Sequence, residues 1–234
     1  MASNKGGWLM RSALLACLVC LLPAFAQEEE AAQEHRWEAS IQEFEAQDRE
    51  AMPEPGQVLF TGSSTIVYWK LDRHFPELDA LNRGFGGSVI ADLNHFFERV
   101  VTPYRPRAMV VYSGDNDVSR GLDADEVLAD FKTFREKVRT ALPETSMYYL
   151  SIKPSVSRWE AWPIMREANA RIAALAADDP LLYFVDTATP MFGEDGTPNA
   201  DYLQSDGLHL NEAGYRIWTQ VLQEVLDETL DQEE

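Results

Sequence analysis

The sequence predicts an α/β protein, a three-layer α/β/α sandwich built on a five-stranded parallel sheet. Three observations carry this reading. Short apolar runs alternate with amphipathic stretches of helix length from about Val58 onward, and crossovers between parallel strands need that length of chain. The runs are nearly continuous in apolar character, as in strands buried on both faces. Glycine-rich or Asp/Asn-rich segments follow several of them, and in open parallel sheets the functional crevice lies at the carboxyl ends of the strands. A strand order of 2-1-3-4-5 is expected.

The elements follow in order. From Glu34 to Glu50 the spacing of Trp37, Ile41 and Phe44 places them on one helical face, and Pro53-Glu54-Pro55-Gly56 ends the helix. Val58-Leu59-Phe60 begins a strand that closes at Gly62, and Asp79 to Asn82 is a weaker second strand. Ser88 to Val101 reads as a helix. Arg107 to Tyr112 holds Ala-Met-Val-Val-Tyr, the strongest strand signal in the chain. Asp123 to Ala141 is a helix with Val127, Phe131, Phe134 and Val138 on one face. A strand at Ser146 to Ile152, a helix at Ala161 to Ala177 and a strand at Leu181 to Val185 come next. The last helix, Asn211 to Leu230, has Asn211 as its N-cap and Ile217, Val221 and Val225 spaced by four.

The chain of 234 residues supports one domain with a full core. Residues 1–26 read as an export leader: Lys5 and Arg11, then an apolar run from Ala13 to Phe25, then the small-x-small site Ala24-Phe25-Ala26. An uncleaved anchor is the alternative, and Leu14-Leu15-Ala16-Cys17 resembles a lipobox. Residues 27–56 form the helix and linker, 57–230 the main domain and 231–234 an acidic tail. Cleavage near Ala26 would leave a periplasmic or secreted chain. Both cysteines, Cys17 and Cys20, lie in the leader, so that chain would hold no thiol, disulfide or cysteine metal ligand. The formal charge of −19 disfavours nucleic acid and anionic membranes as partners. The sequence leaves the oligomeric state open.

Four segments can meet at one crevice edge: Gly62-Ser63-Ser64-Thr65, the cluster Asn82 to Ser88, Ser113 to Asp117, and Asp206 to Asn211. A serine after a strand at the start of a helix is either an N-cap or a hydroxyl beside free backbone N–H groups. The Gly-x-Ser-x-Gly nucleophile elbow is absent. The glycines Gly84, Gly86 and Gly87 lack the spacing of a dinucleotide-binding turn. They either make a tight turn or bring an N–H close to a reacting oxygen. Asp115, Asn116 and Asp117 can form an Asx turn or bind a divalent metal, or Asn116 can aim its amide at an oxyanion. Asp206 lies three residues before His209. That spacing lets a carboxylate hold one ring nitrogen while the other acts as a base, or Asp206 simply caps the helix. His35, His74 and His95 are worse placed, so His209 is the candidate base.

In this order the four segments resemble the four blocks of the SGNH hydrolases, also called GDSL esterases/lipases, over roughly Val58 to Leu226. The stretch Gly84-Phe85-Gly86-Gly87 is similar to the platelet-activating-factor acetylhydrolase-like branch. The resemblance implies the flavodoxin-like fold of that family and a serine nucleophile at Ser64, with Asp206 and His209 completing a triad. It implies oxyanion donors at Ser64, Gly87 (or Gly86 in the alternative register) and Asn116. One departure is Ser63, which stands where the family usually has Asp. The implied activity is carboxylic ester hydrolysis on a small-molecule ester through an acyl-enzyme, with no cofactor or metal. Alternatives are a glycan O-acetyl esterase or acyltransferase, and an inactive carbohydrate-binding module on the same fold. Trp159 and Trp162 either wall an acyl or alcohol pocket or pack the following helix onto the sheet. Arg83 and Lys153 either meet an anionic substrate group or join internal ion pairs.

Overall fold

The structure is a computed structural model that describes residues 22–230, with side chains from residue 36 onward. The export leader falls mostly on residues 1–21 and the acidic tail on 231–234, outside the described residues. Two compact units divide at residue 39, and the first helix, α1 (Leu22–Glu50), runs through that boundary. Among the described residues no helix is long and apolar enough to cross a membrane.

In the main unit five parallel strands stand in the order β2-β1-β3-β4-β5: β1 (Val58–Gly62), β2 (Ala80–Gly84), β3 (Ala108–Tyr112), β4 (Ser146–Leu150) and β5 (Leu182–Val185). This is the expected order. The three central strands β1, β3 and β4 are buried at every position. That explains why they read as unbroken apolar runs rather than as alternation. The weak second strand extends to Gly84, past the expected end at Asn82, because pairing with β1 continues through Gly62 opposite Gly84. Register with a neighbour overrides the poor strand propensity of Asn82 and Arg83.

Helices cover both faces. On one side α2 (Ser64–Tyr68), α3 (Leu71–His74) and α8 (Glu212–Thr229) enclose a core of Phe60, Trp69, Phe75, Val110, Tyr112, Tyr148, Trp218 and Leu222. On the other side α4 (Ile90–Val100), α6 (Ala124–Ala141) and α7 (Trp162–Ala176) pack in succession. Val127, Phe131, Phe134 and Val138 are fully buried there, as the helical spacing requires. The cap at Asn211 is present: its Oδ1 accepts the N–H groups of Ala213 and Gly214. Asp123 caps α6 in the same way and Glu126 reaches back to complete a capping box.

The last stretch of α1 is tied to the sheet by charge. Arg83 Nη2 donates to Asp48 Oδ1 at 2.5 Å, Arg83 Nε donates to Tyr104 Oη at 2.7 Å, and Tyr104 donates to Asp48 Oδ2 at 2.6 Å. The guanidinium also lies over the Phe44 ring. Of the two readings of Arg83, the internal ion pair holds. Burial, with the Asp48 carboxylate beside it, lifts the Tyr104 phenol to about 12, so it remains a donor in this network.

Candidate active site

Gly62, the last residue of β1, sets the first segment. Its φ is +134°, and a Cβ there would lie 2.0 Å from the Tyr112 carbonyl oxygen, so only glycine lets β1 and β3 approach this closely. On one side the Gly62 carbonyl accepts the Phe85 N–H at 2.9 Å. On the other the Ser63 N–H donates to the Tyr112 carbonyl at 3.0 Å. Ser63 occupies the N-cap position of α2, but its hydroxyl makes no capping bond. Ser64 opens the helix, where first-turn N–H groups have no intrahelical acceptor. Its side chain is partly exposed.

The fourth segment meets this hydroxyl across 145 residues of chain. Ser64 Oγ lies 3.0 Å from His209 Nε2, and His209 Nδ1 lies 2.6 Å from Asp206 Oδ2. The other carboxylate oxygen, Asp206 Oδ1, accepts the backbone N–H groups of Leu208 and His209. The His209 hydrogen bond and the Leu208 N–H together hold the Asp206 carboxyl at about 2, far below its usual range. A carboxylate accepts only, so Nδ1 carries a proton, and in the neutral ring that leaves the Nε2 lone pair toward the serine. Gly207, at φ +65°, makes the turn between the two residues, and its carbonyl accepts the Ser157 N–H at 3.0 Å. The bland reading of Asp206, a helix cap, gives way: Asn211 caps α8 and Asp206 faces the imidazole.

Blocks two and three lie on the same edge. A Cβ on Gly86 would sit 3.8 Å from Ser64 Cβ. Gly87 follows with φ +77°, and its carbonyl accepts Arg120 Nη2 at 2.8 Å. Asn116 lies on a short helix, α5 (Asp115–Ser119), and its Nδ2 donates to the Ser88 carbonyl at 3.0 Å. That bond spans blocks two and three. Asp117 Oδ1 adds a second tie by accepting the Ile90 N–H at 2.9 Å. Burial raises the Asp117 carboxyl to about 7. Asp115 Oδ2 is taken by two cations, Arg158 Nη1 at 3.1 Å and Lys153 Nζ at 3.7 Å. One oxygen of each carboxylate is engaged by protein groups, while Asp115 Oδ1 and Asp117 Oδ2 are buried without a partner; no group of three or more His, Cys, Asp or Glu that could hold a metal ion occurs among the described residues. Lys153, like Arg83, sits in an internal ion pair. Its complete burial pushes the ammonium down, and Asp115 counters that.

The two tryptophans stand apart from this cluster. Trp159 and Trp162 stack at 6.3 Å with 12° between planes, and Phe192 meets both edge-on. The three line a cavity of about 590 Å³ beyond β4 and β5, with Arg166, Asp186 and Thr189 also on its wall. Ser64, Asp206, His209, Gly87 and Asn116 do not line it. The tryptophans therefore wall a cavity, but one that the Ser64 centre does not line.

Sequence reasoning missed Tyr68 and Arg158. The Tyr68 ring meets the His209 ring edge-on at 5.1 Å and stays half exposed. Its position four residues after Ser64 on one short helix was the available signal. Arg158 donates through Nη2 to Asn116 Oδ1 at 2.9 Å. No sequence pattern marks a contact across 42 residues.

A hydrogen-bonded Ser–His–Asp chain thus stands at the carboxyl edge of a five-stranded parallel sheet. The profile of the GDSL-like lipase/acylhydrolase family matches residues 60–217, and the chain belongs to that family. No curated protein sequence matches it. Among solved structures, a Streptococcus pneumonia protein assigned as a platelet activating factor superposes with a TM-score of 0.74 at 21% identity, covering 87% of this chain and 99% of its own. A GDSL-like lipase from Bacteroides thetaiotaomicron gives 0.71 at 23% identity, covering 81% and 98%. A catalytic mutant of an acetylxylan esterase from Geobacillus stearothermophilus gives 0.58 at 19% identity, covering 73% and 94%. At these identities the likeness is one of fold.

Proposed function

We propose that this protein hydrolyses carboxylic esters through an acyl-enzyme on Ser64. The observation that carries the reading is the unbroken hydrogen-bonded chain from Ser64 Oγ through His209 to Asp206. His209 Nε2 takes the hydroxyl proton as Ser64 Oγ attacks the acyl carbon. The carbonyl electron pair moves onto oxygen, where the Ser64 N–H, the Gly87 N–H and the Asn116 Nδ2–H would receive it. As the tetrahedral intermediate collapses, His209 passes the proton to the leaving alcohol. Water, deprotonated by His209, then attacks the acyl carbon, and His209 returns that proton to Ser64 Oγ as the acyl–oxygen bond breaks and the acid leaves. Asp206 keeps the imidazole in the required tautomer and stabilises its charged form. No bound cofactor enters these steps.

The rim supports an ester with an apolar part. Tyr68 borders the imidazole, and half-exposed Val156 lies against Gly207. We place the larger portion of the substrate in the neighbouring cavity against Trp159 and Trp162. A second reading, an O-acetylated glycan as substrate, is favoured by those stacked rings, since flat aromatic faces also seat sugar rings, and an acetylxylan esterase is among the similar folds. Export to the periplasm or beyond, with cleavage near Ala26, is part of the same proposal and rests on the sequence.

The test is turnover of p-nitrophenyl acetate and of acetylated xylan by wild type, Ser64→Ala and His209→Ala. Both variants should lose on the order of 10³-fold or more in kcat. Wild-type turnover in both would refute the mechanism, and a strong preference for the xylan would select the second reading.

A further inference from the structure

We infer that Arg158 is a positioning residue: it fixes the side-chain amide of Asn116 so that Nδ2–H faces the developing oxyanion. The inference rests on the ester-hydrolysis reading above and adds a residue to it.

A side-chain amide has one accepting end and one donating end, and its two orientations are nearly isosteric. Asn116 is held at both ends by groups that allow one orientation only. The guanidinium of Arg158 can only donate, and its Nη2 lies 2.9 Å from Oδ1. The Ser88 carbonyl can only accept, and it lies 3.0 Å from Nδ2. Turning the amide over would set the NH₂ group against the guanidinium and oxygen against oxygen, losing both bonds at once. In the permitted orientation Ser88 takes one Nδ2 hydrogen and the second remains for the substrate. Drawing electron density toward Oδ1 also makes the remaining N–H a stronger donor.

Arg158 is itself braced. Its Nη1 sits 3.1 Å from Asp115 Oδ2, a charge contact rather than an aligned hydrogen bond, and buried Lys153 approaches the same oxygen. The Arg158 side chain is 18% exposed and its guanidinium is engaged on two sides, so its role is internal. It leaves the backbone at a kink, φ −124° and ψ +23°, within the 3-10 run Val156–Ala161. The adjacent Ser157 N–H binds the Gly207 carbonyl, two residues before His209. One short run thus touches the oxyanion side and the base side of the centre.

The experiment is a double-mutant cycle on p-nitrophenyl acetate with wild type, Arg158→Met, Asn116→Ala and the double variant. Arg158→Met should lower kcat about 10- to 100-fold, less than the loss of a whole oxyanion donor, with KM changed less than about threefold. In the Asn116→Ala background the same change should cost less than about threefold, because the group it acts through is gone. Arg158→Lys, which keeps the charge and one donor, should recover part of kcat and serves in the cycle if the Met variant fails to fold. An equal loss in both backgrounds, or wild-type kcat in Arg158→Met and Arg158→Lys, would overturn the inference. Wild-type turnover by Ser64→Ala would instead overturn the underlying mechanism.

Discussion

Asp117 should make this protein less stable as pH rises from about 4 to about 7, against the usual behaviour of a carboxylate. Its side chain is fully buried, with one oxygen bonded to the Ile90 N–H and the other without a partner. Burial is the largest cause of its raised pKa, and the nearby carboxylates of Asp115 and Asp130 add to it. In the fold the group titrates at about 7 rather than 3.8. Between those values the folded chain keeps a proton that the unfolded chain has released, so stability falls through the window and levels off above it. A displacement of roughly three units at ~1.36 kcal/mol each is about 4 kcal/mol. Asp117→Asn keeps an oxygen for Ile90 and removes the ionisation. Urea unfolding from pH 4 to 8 should give a stability difference, wild type minus variant, that declines by about 4 kcal/mol across the range. His74, whose pKa is lowered chiefly by burial, acts in the opposite sense below its ordinary 6.5. It is common to both proteins and cancels in the difference. Parallel curves, with a difference constant to within about 1 kcal/mol, would refute the assignment of the window to Asp117.

Two further outcomes are expected. Gly62→Ala should cost about 2–5 kcal/mol in urea unfolding, since a Cβ would meet the Tyr112 carbonyl at 2.0 Å on a backbone with φ +134°; a loss below about 1 kcal/mol would show that β1 and β3 separate easily. Trp159→Ala with Trp162→Ala should raise KM about tenfold for esters with a large acyl or alcohol group while leaving p-nitrophenyl acetate within about threefold, because Ser64 and His209 do not line the cavity that the tryptophans wall. Equal loss on both substrates would mean that the pair only supports packing.

The fold was legible because its central strands are buried on both faces, which writes each of them into the sequence as one apolar run. Helix ends were legible where a side chain caps them, as at Asp123 and Asn211. α5 is not legible as a helix: Asp115-Asn116-Asp117 is poor in helix formers, and the turn into it depends on Gly114 at φ +119°, where a Cβ would meet Ile152. The four polar segments announced the centre, since each follows a strand or precedes the last helix. Their neighbours did not announce themselves. Arg158 reaches Asn116, and the tryptophans find Phe192, through contacts that no spacing rule encodes. For Arg83 and Lys153 the sequence left two roles open, and burial decided between them, because a cation inside the domain must be paired.

Three of the four segments owe their positions to the sheet and one does not. Ser64, Gly87 and Asn116 follow β1, β2 and β3, neighbours whose ladder fixes their separation. His209 comes from a loop with no strand behind it, yet its Nε2 must meet Ser64 Oγ within hydrogen-bond distance. Two ties supply what the sheet cannot. Tyr215 of α8 donates to the Thr65 carbonyl at 2.8 Å, beside the serine itself, and Trp218 packs against Trp69 and Tyr112. On the opposite side the Gly207 carbonyl is held by the Ser157 N–H. The loop that carries His209 is therefore anchored by the helix that follows it and, at Gly207, by the run that carries Arg158. A disturbance of either should reach the Ser64–His209 distance before it reaches the sheet.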